Sequence, residues 1–148
     1  MKMIFGILIL LKIQNFLMVF NLEVLIMTIL IIDDNAIQVS LMRLYLERYP
    51  DFILFSAYNV LDGIQIFQNN QIDLCLLDLS LPGQDGTVFL DFLNSLEIQI
   101  PVILITGVHF NLIKEISKKY NTYYLRKPFI EEELIKLIHQ ITGKIKEK

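Results

Sequence analysis

The sequence predicts an α/β fold, an open parallel sheet covered by helices on both faces, and three observations carry that prediction. From residue 27 onward, five short apolar runs alternate with five longer stretches whose apolar residues recur at helical spacing. The short runs are almost free of polar residues, as parallel strands buried on both faces are. The chain has 148 residues, 54% of them hydrophobic, which is enough for one core, since domains commonly hold about 100–150 residues.

Ile29–Ile32 forms the first strand and ends in Asp33-Asp34-Asn35. A helix follows, with Ile37, Leu41 and Leu44 at i, i+4 and i+7 and with Met42, Tyr45 and Leu46 widening the stripe, until Tyr49-Pro50 stops it. Phe52–Phe55 is the second strand. Asn59 supplies a side-chain cap for a second helix carrying Val60, Ile64 and Phe67, which Asn69-Asn70 ends. The third strand, Leu74–Leu77, runs into Asp78 and the turn-rich Ser80–Gly86, and Phe89, Phe92, Leu93 and Leu96 mark the third helix. Pro101 opens a fourth strand ending in Thr106-Gly107. Leu112, Ile113, Ile116 and Tyr120 mark the fourth helix, and Thr122–Leu125 is the fifth strand, leading to Lys127-Pro128. The last helix carries Ile130, Leu134, Leu137, Ile138 and Ile141, with Glu131, Glu132 and Glu133 at its positive end and Lys144 at its negative end. Right-handed crossovers then place helices on both faces of the sheet.

Composition narrows the function classes. A disordered chain lacks the large apolar residues abundant here. A net charge of −3 with no basic stripe gives no footprint for nucleic-acid phosphates, so direct nucleic-acid binding is not expected. The single cysteine, Cys75, lies in an apolar run and has no second thiol for a disulfide or a zinc site, which suits a reducing cytoplasm. No separate output domain is expected after the last helix.

Residues 1–26 stand apart from the domain at 27–148. They are rich in Leu, Ile, Phe and Met, and are expected to be helical. The longest apolar stretch, Met3–Leu11, is half of what a spanning helix needs, and no small-residue cleavage site follows it. Three readings stand open: a membrane anchor, a helix covering an apolar face, or a translated stretch upstream of the true start. The last fits best with Met27 standing directly before a strand.

In open parallel sheets the ligand site lies beyond the carboxyl ends of the strands. Those ends carry Asp33 and Asp34, Asp78, Thr106, and Arg126 and Lys127. Each alone reads as a helix cap or a strand terminator. Together they do not, because two carboxylates about 5 Å apart repel by roughly 3 kcal/mol at an effective dielectric of 20. Lys127 offsets part of this, and a hard divalent cation with oxygen ligands suits the remainder. A carboxylate beside such an ion, a hydroxyl and an ammonium is equipped for phosphoryl transfer, with Asp78 as the nucleophile.

Four segments in order, Asp33-Asp34-Asn35, Asp78-Leu79-Ser80-Leu81-Pro82-Gly83-Gln84-Asp85-Gly86, Thr106-Gly107 and Tyr124-Leu125-Arg126-Lys127-Pro128-Phe129, resemble the receiver domain of two-component response regulators over roughly residues 27–143. The resemblance implies a flavodoxin-like (βα)5 sandwich with strand order 2-1-3-4-5. It implies that Asp78 accepts a phosphoryl group from a sensor histidine kinase or a histidine phosphotransfer protein. Mg²⁺ would be held by Asp33, Asp34, Asp78 and the Ser80 backbone carbonyl. Thr106 would bond the phosphoryl oxygen, Lys127 would neutralise it, and Tyr124 would change rotamer as Thr106 moves. The Lys127-Pro128 bond resembles the family's cis peptide. A downstream protein would read the state on the face of the fourth helix, fifth strand and fifth helix. The sequence departs from the family at Asn121-Thr122-Tyr123, which replaces a Gly-Ala-Asp-Asp, and at Gly107, where alanine is frequent; Ser80 and Val108 stand where side chains tune phosphoryl lifetime. His109, near the site, and His139, on the last helix, read as surface residues, and Cys75 as core.

The expected role is therefore a single-domain phosphorylation switch, with a phosphorelay intermediate as its near variant, and not an enzyme acting on other substrates. An aspartyl-phosphate phosphatase normally shows a second Asp two residues after the first, where this chain has Ser80. A scaffold that keeps the fold without the chemistry would not need Asp33, Asp34, Asp78, Thr106 and Lys127 together.

Overall fold

The computed structural model describes residues 2–19 and 26–143. In chain order the elements are α1 (Lys2–Val19), β1 (Met27–Ile32), α2 (Ala36–Leu46), β2 (Phe52–Ala57), α3 (Val60–Asn69), β3 (Leu74–Leu77), β4 (Ser80–Leu81), β5 (Gln84–Asp85), α4 (Thr87–Ser95), β6 (Val102–Thr106), α5 (Phe110–Tyr120), β7 (Tyr123–Arg126) and α6 (Glu131–Thr142). The main sheet runs β2-β1-β3-β6-β7, every neighbouring pair parallel, which is the expected order of the five predicted strands.

Alternation along the strands divides the core in two. Ile29 and Ile31 of β1, Leu74 and Leu76 of β3, and Ile103 and Ile105 of β6 face α2 and α6, where Val39, Met42, Leu46, Leu134, Ile135 and Ile138 cover them. Leu30, Ile32, Cys75, Leu77 and Leu104 point the other way, against Val60 of α3 and Phe89, Leu90 and Leu93 of α4. Both faces are thus sealed by apolar side chains, and the polar residues of β1, β3 and β6 are left to the strand ends.

The helices begin where the sequence supplies caps. The Asn35 side chain accepts the backbone N–H groups of Ile37 and Gln38 at 3.0 and 3.2 Å, and the Asn59 side chain accepts that of Asp62 at 2.8 Å. Glu133 accepts the Ile130 N–H at 3.0 Å and fixes the start of α6. Asn121 closes α5 in the left-handed conformation, φ 53°.

Three expectations about helix faces are corrected. Ile37 and Leu44 are 77% and 62% exposed, and α2 is seated by Met42 and Leu46 of the expected stripe together with Val39, which was not on it. Leu112 is exposed on α5, where Ile113 takes the buried position. Leu96 lies just past α4 and is exposed, while Leu90 is buried in its place. Ser80–Gly86 contains a feature the sequence did not announce: β4 and β5 form a two-residue antiparallel pair turned at Gly83, whose φ of +73° suits glycine. Lys144 lies outside the described residues. The α1 helix covers most of the expected N-terminal helical stretch, and among the described residues no helix is long and apolar enough to cross a membrane.

Candidate functional site

The sheet's hydrogen bonding continues one residue past the strands and pins the site's backbone. Asp33 N–H donates to the Ala57 carbonyl at 3.1 Å, Asp78 N–H to the Ile32 carbonyl at 2.9 Å, and Lys127 N–H to the Thr106 carbonyl at 3.0 Å. Residues from β1, β3 and the end of β7, distant in sequence, are thereby held at one rim, as the strand-end argument requires.

The two buried carboxylates are gripped alike. Asp33 Oδ1 accepts the N–H of Asn35 at 2.9 Å, and Asp78 Oδ1 accepts that of Ser80 at 2.9 Å, so each aspartate binds the backbone two residues on rather than capping a helix. Their other oxygens meet a single cation: Lys127 Nζ lies 2.6 Å from Asp33 Oδ2 and 2.7 Å from Asp78 Oδ2. Asp33 is 1% exposed, Asp78 6% and Thr106 fully buried. Asp34 is exposed, and one oxygen from each of Asp33, Asp34 and Asp78 lies within 4.8 Å of the others.

The electrostatics show incomplete compensation. Burial pushes the Asp33 carboxyl above the usual range, and the Lys127 ammonium with the Asn35 N–H pulls it back only in part. For Lys127, burial works against the charge, but hydrogen bonds to Asp33 and Asp78 outweigh it and hold the ammonium above ordinary lysine. One cation therefore serves two buried anions, with a third acid at the rim. Oxygens on neighbouring or opposite corners of a magnesium octahedron lie about 3–4 Å apart, given metal–oxygen distances of about 2.1 Å. Three carboxylates gathered this closely, with few protein donors between them, fit such an ion after small side-chain adjustments.

Loop geometry holds Asp78 in place. A Cβ on Gly86 would stand 2.4 Å from the Asp78 carbonyl oxygen and 2.8 Å from Leu79 Cα, both backbone atoms, so only glycine lets the chain pass beneath Asp78. Gly107 is the reverse, with no atom within 4 Å of its missing Cβ. The Thr106 hydroxyl accepts the Val108 N–H at 3.4 Å. Ser80, exposed, opens β4 beside Asp78, and the Lys127-Pro128 peptide is cis.

Tyr124, on the edge strand β7, is 36% exposed and meets Phe110 edge-on, ring centres 5.9 Å apart. Lys114 Nζ lies 4.5 Å from the centre of the Phe110 ring, and Arg126 stacks more distantly on the same ring. Sequence reasoning named Tyr124 but not this aromatic and cationic surround; the signal was the placement of Phe110 and Lys114 one helical turn apart. His109 is exposed at the start of α5, and His139 is half-buried with its ring against Tyr49. Cys75 is fully buried, which pushes its thiol up and leaves it as core.

Comparison with known proteins agrees with this geometry. The family model for the response regulator receiver domain matches residues 29–139. The nitrate/nitrite response regulator NarL of Escherichia coli K12 is 31% identical over 116 residues, covering 76% of this chain and 53% of the relative. The cell cycle transcriptional regulator CtrA of Caulobacter vibrioides is 28% identical over 126 residues, covering 81% and 52%. The chain thus spans about half the length of the curated relatives it matches. Among solved structures, a CheY-like receiver domain protein from Methanospirillum hungatei JF-1 superposes with a TM-score of 0.71 at 24% identity, covering 78% of this chain and 92% of that one. The chemotaxis protein CheY4 of Vibrio cholerae gives 0.72 at 18% identity, covering 78% and 98%. At those identities the structures speak for the fold alone. With the family match spanning most of the sequence and the acids seated at the strand ends, the chain belongs to the response regulator receiver domain family.

Proposed function

We propose that the chain is a Mg²⁺-dependent phosphoryl acceptor whose Asp78 takes the group from a sensor histidine kinase or a histidine phosphotransfer protein and so switches a protein–protein interaction. The observation that carries this is the shared ammonium: Lys127 contacts both Asp33 and Asp78 within 2.7 Å, beside a third acid. In the transfer, an oxygen of the Asp78 carboxylate forms a bond to phosphorus as the phosphorus–nitrogen bond of a phosphohistidine breaks, and the imidazole nitrogen keeps the electron pair. Asp33, Asp34, Asp78 and the Ser80 backbone carbonyl would hold Mg²⁺, which supplies charge neutralisation for the transferring phosphoryl oxygens. Lys127, already placed at Asp78, offsets the charge left on the acyl phosphate. Thr106, whose hydroxyl is buried and among the described residues accepts only a long contact from the Val108 N–H, turns to donate to a phosphoryl oxygen.

The signal is read on the face made by α5, β7 and α6, where Tyr124 and Phe110 sit next to the segment that Thr106 terminates. The chain acts as a switch in the cytoplasm without touching nucleic acid itself, and its chemistry is confined to its own phosphorylation and dephosphorylation. A phosphorelay intermediate is the second reading, supported by Gly107, which follows the strand-end Thr106 and has open space where a Cβ would stand.

Incubation with a small-molecule phosphodonor and Mg²⁺, followed by intact mass, tests the proposal. A single added phosphoryl group is expected, released by hydroxylamine, absent in Asp78→Asn and lost on chelation. Phosphorylation that persists in Asp78→Asn would refute the assignment of the acceptor.

A further inference from the structure

A second grouping of charged and aromatic side chains lies between α5 and β7, the edge strand of the main sheet. Tyr124 and Arg126 are alternate residues of β7, so they project to the same side of the sheet, and that side is the one α5 covers. There Tyr124 meets Phe110, on the first turn of α5, edge-on with ring centres 5.9 Å apart. Two cations stand over the same Phe110 ring, Lys114 Nζ at 4.5 Å and the Arg126 guanidinium at 5.8 Å from its centre. Lys114, Tyr124 and Arg126 are exposed, and Phe110 is half-buried.

The chain does not answer these charges itself. Among the described residues neither Lys114 nor Arg126 is in an ion pair, and the cations that are paired are Arg43, Arg48 and Lys127. α5 carries three lysines, Lys114, Lys118 and Lys119, against one acid, Glu115, whose field acts on Lys119 one turn on. β7 carries Arg126 and no acid. Of the acids that open α6, Glu131 is engaged by Arg48, and Glu133 by the Ile130 N–H. The face is thus positive on a chain whose net charge is −3. The Phe110 ring holds both long side chains against it, which removes rotamer freedom that binding would otherwise cost, while their outward N–H groups stay open to an anion.

A ligand complementary to this surface brings carboxylates for the two cations and an apolar side chain for the aromatic pair between them. An acidic protein segment supplies both. Nucleic acid offers its phosphates along a track and gains affinity from many such contacts, for which a net-negative chain with one short cationic cluster is poorly suited. We infer that Phe110, Lys114, Tyr124 and Arg126 form the docking seat for an acidic segment of a partner protein. The inference rests on the reading of the α5, β7 and α6 face as the one through which the phosphorylation state is read, and it adds the chemistry of the reader.

The test takes the full chain and two fluorescein-labelled amphipathic peptides, one built of Glu, Leu and Phe and the other with Lys in place of every Glu, and follows binding by fluorescence anisotropy. The parent is expected to bind the acidic peptide at least about tenfold more tightly than the basic one, with an affinity that falls as salt is added. Lys114→Glu is expected to keep the thermal midpoint, its position being exposed, and to lose about tenfold in affinity for the acidic peptide, whereas Lys114→Arg retains it. Equal binding of the two peptides, or of neither, overturns the inference, as does Lys114→Glu binding the acidic peptide like the parent. Tighter binding of a short DNA duplex than of the acidic peptide overturns it too, since a phosphate polyanion is then the occupant. Intact mass after incubation with a small phosphodonor keeps the two readings apart. The peptide preference without phosphorylation of Asp78 refutes phosphoryl acceptance alone, and phosphorylation of Asp78 without the preference refutes the docking seat alone.

Discussion

At the scale of single residues, the strand-end site is decided by how poorly Asp33 is compensated. Its carboxylate is 1% exposed, and although Lys127 and the Asn35 N–H both reach it, burial dominates and its pKa stands above that of the unfolded chain. A carboxyl with a raised folded-state pKa favours the native state below its unfolded pKa, and that contribution is lost as pH rises through the folded value. At neutral pH the ionised Asp33 therefore costs stability, and neutral asparagine removes the cost. In metal-free buffer at pH 7, Asp33→Asn is expected to raise the thermal midpoint by a few degrees, roughly the effect of 1 kcal/mol, with the gain fading below about pH 4, where Asp33 is protonated in the folded and unfolded chains alike. In titrations with Mg²⁺ the same variant is expected to lose most of its affinity. A lower midpoint in metal-free buffer would mean that the Lys127 contact outweighs desolvation. Gly107 gives a second expectation at this scale. Open space surrounds its missing Cβ, so Gly107→Ala is expected to fold with an unchanged midpoint while narrowing the approach to Asp78, and the aspartyl phosphate, followed by intact mass, is expected to hydrolyse more slowly.

At the scale of elements, β3, β4 and β5 form one device for presenting Asp78. The strand fixes the residue, Ser80 N–H holds one oxygen, and the hairpin returns the chain so closely that Gly86 passes beneath the Asp78 carbonyl. Gly86→Ala forces that backbone apart. It is expected to cost about 1–3 kcal/mol in urea unfolding, as overpacking does, and to reduce phosphoryl acceptance out of proportion to the loss of fold. The hairpin was not legible in the sequence because two-residue strands carry no hydrophobic period, and only Pro82-Gly83 and Asp85-Gly86 signalled a turn. The strands of the main sheet were legible for the opposite reason: burial on both faces leaves an uninterrupted apolar run such as Leu74-Cys75-Leu76-Leu77 that ends at the first polar residue. Helix faces were intermediate. α2 is only eleven residues long and carries apolar side chains at 37, 39, 41, 42, 44 and 46, so two overlapping stripes fit the same period, and the neighbouring α6 decided for Val39, Met42 and Leu46. Met42→Ala is accordingly expected to cost about 2–5 kcal/mol, while Leu44→Ala stays within about 0.5 kcal/mol.

At the scale of the molecule, the three charges that meet at the rim lie 49 and 94 positions apart in the chain, and they come together only when β1, β3 and β7 are in register. The sequence showed that Asp33, Asp78 and Lys127 share a rim, because strand ends share one in any parallel sheet, but not that a single ammonium bridges both acids, since that depends on side-chain directions set by the completed sheet. The bridge makes Lys127 the residue on which the charge balance of the whole domain turns. Its own pKa is raised, so its contribution is intact below the unfolded lysine value and is lost only as pH climbs past the folded one, leaving it fully charged at neutral pH. Lys127→Met leaves two buried carboxylates facing each other without a cation, a loss of the kind that costs about 3–5 kcal/mol. Asp33, whose burial already raises its pKa, then loses the ammonium that pulls it back, so the deficit is expected to be large at pH 8 and to shrink as pH falls toward 5, because protonation of Asp33 removes the repulsion. Millimolar Mg²⁺ is expected to restore most of the lost midpoint at pH 8, since it binds the folded acids and not the unfolded chain. Thermal midpoints of the parent and Lys127→Met, measured from pH 5 to pH 8 with and without Mg²⁺, check all of this. A deficit independent of pH and indifferent to the metal would reduce Lys127 to a packing residue and remove the electrostatic basis for phosphoryl acceptance at Asp78.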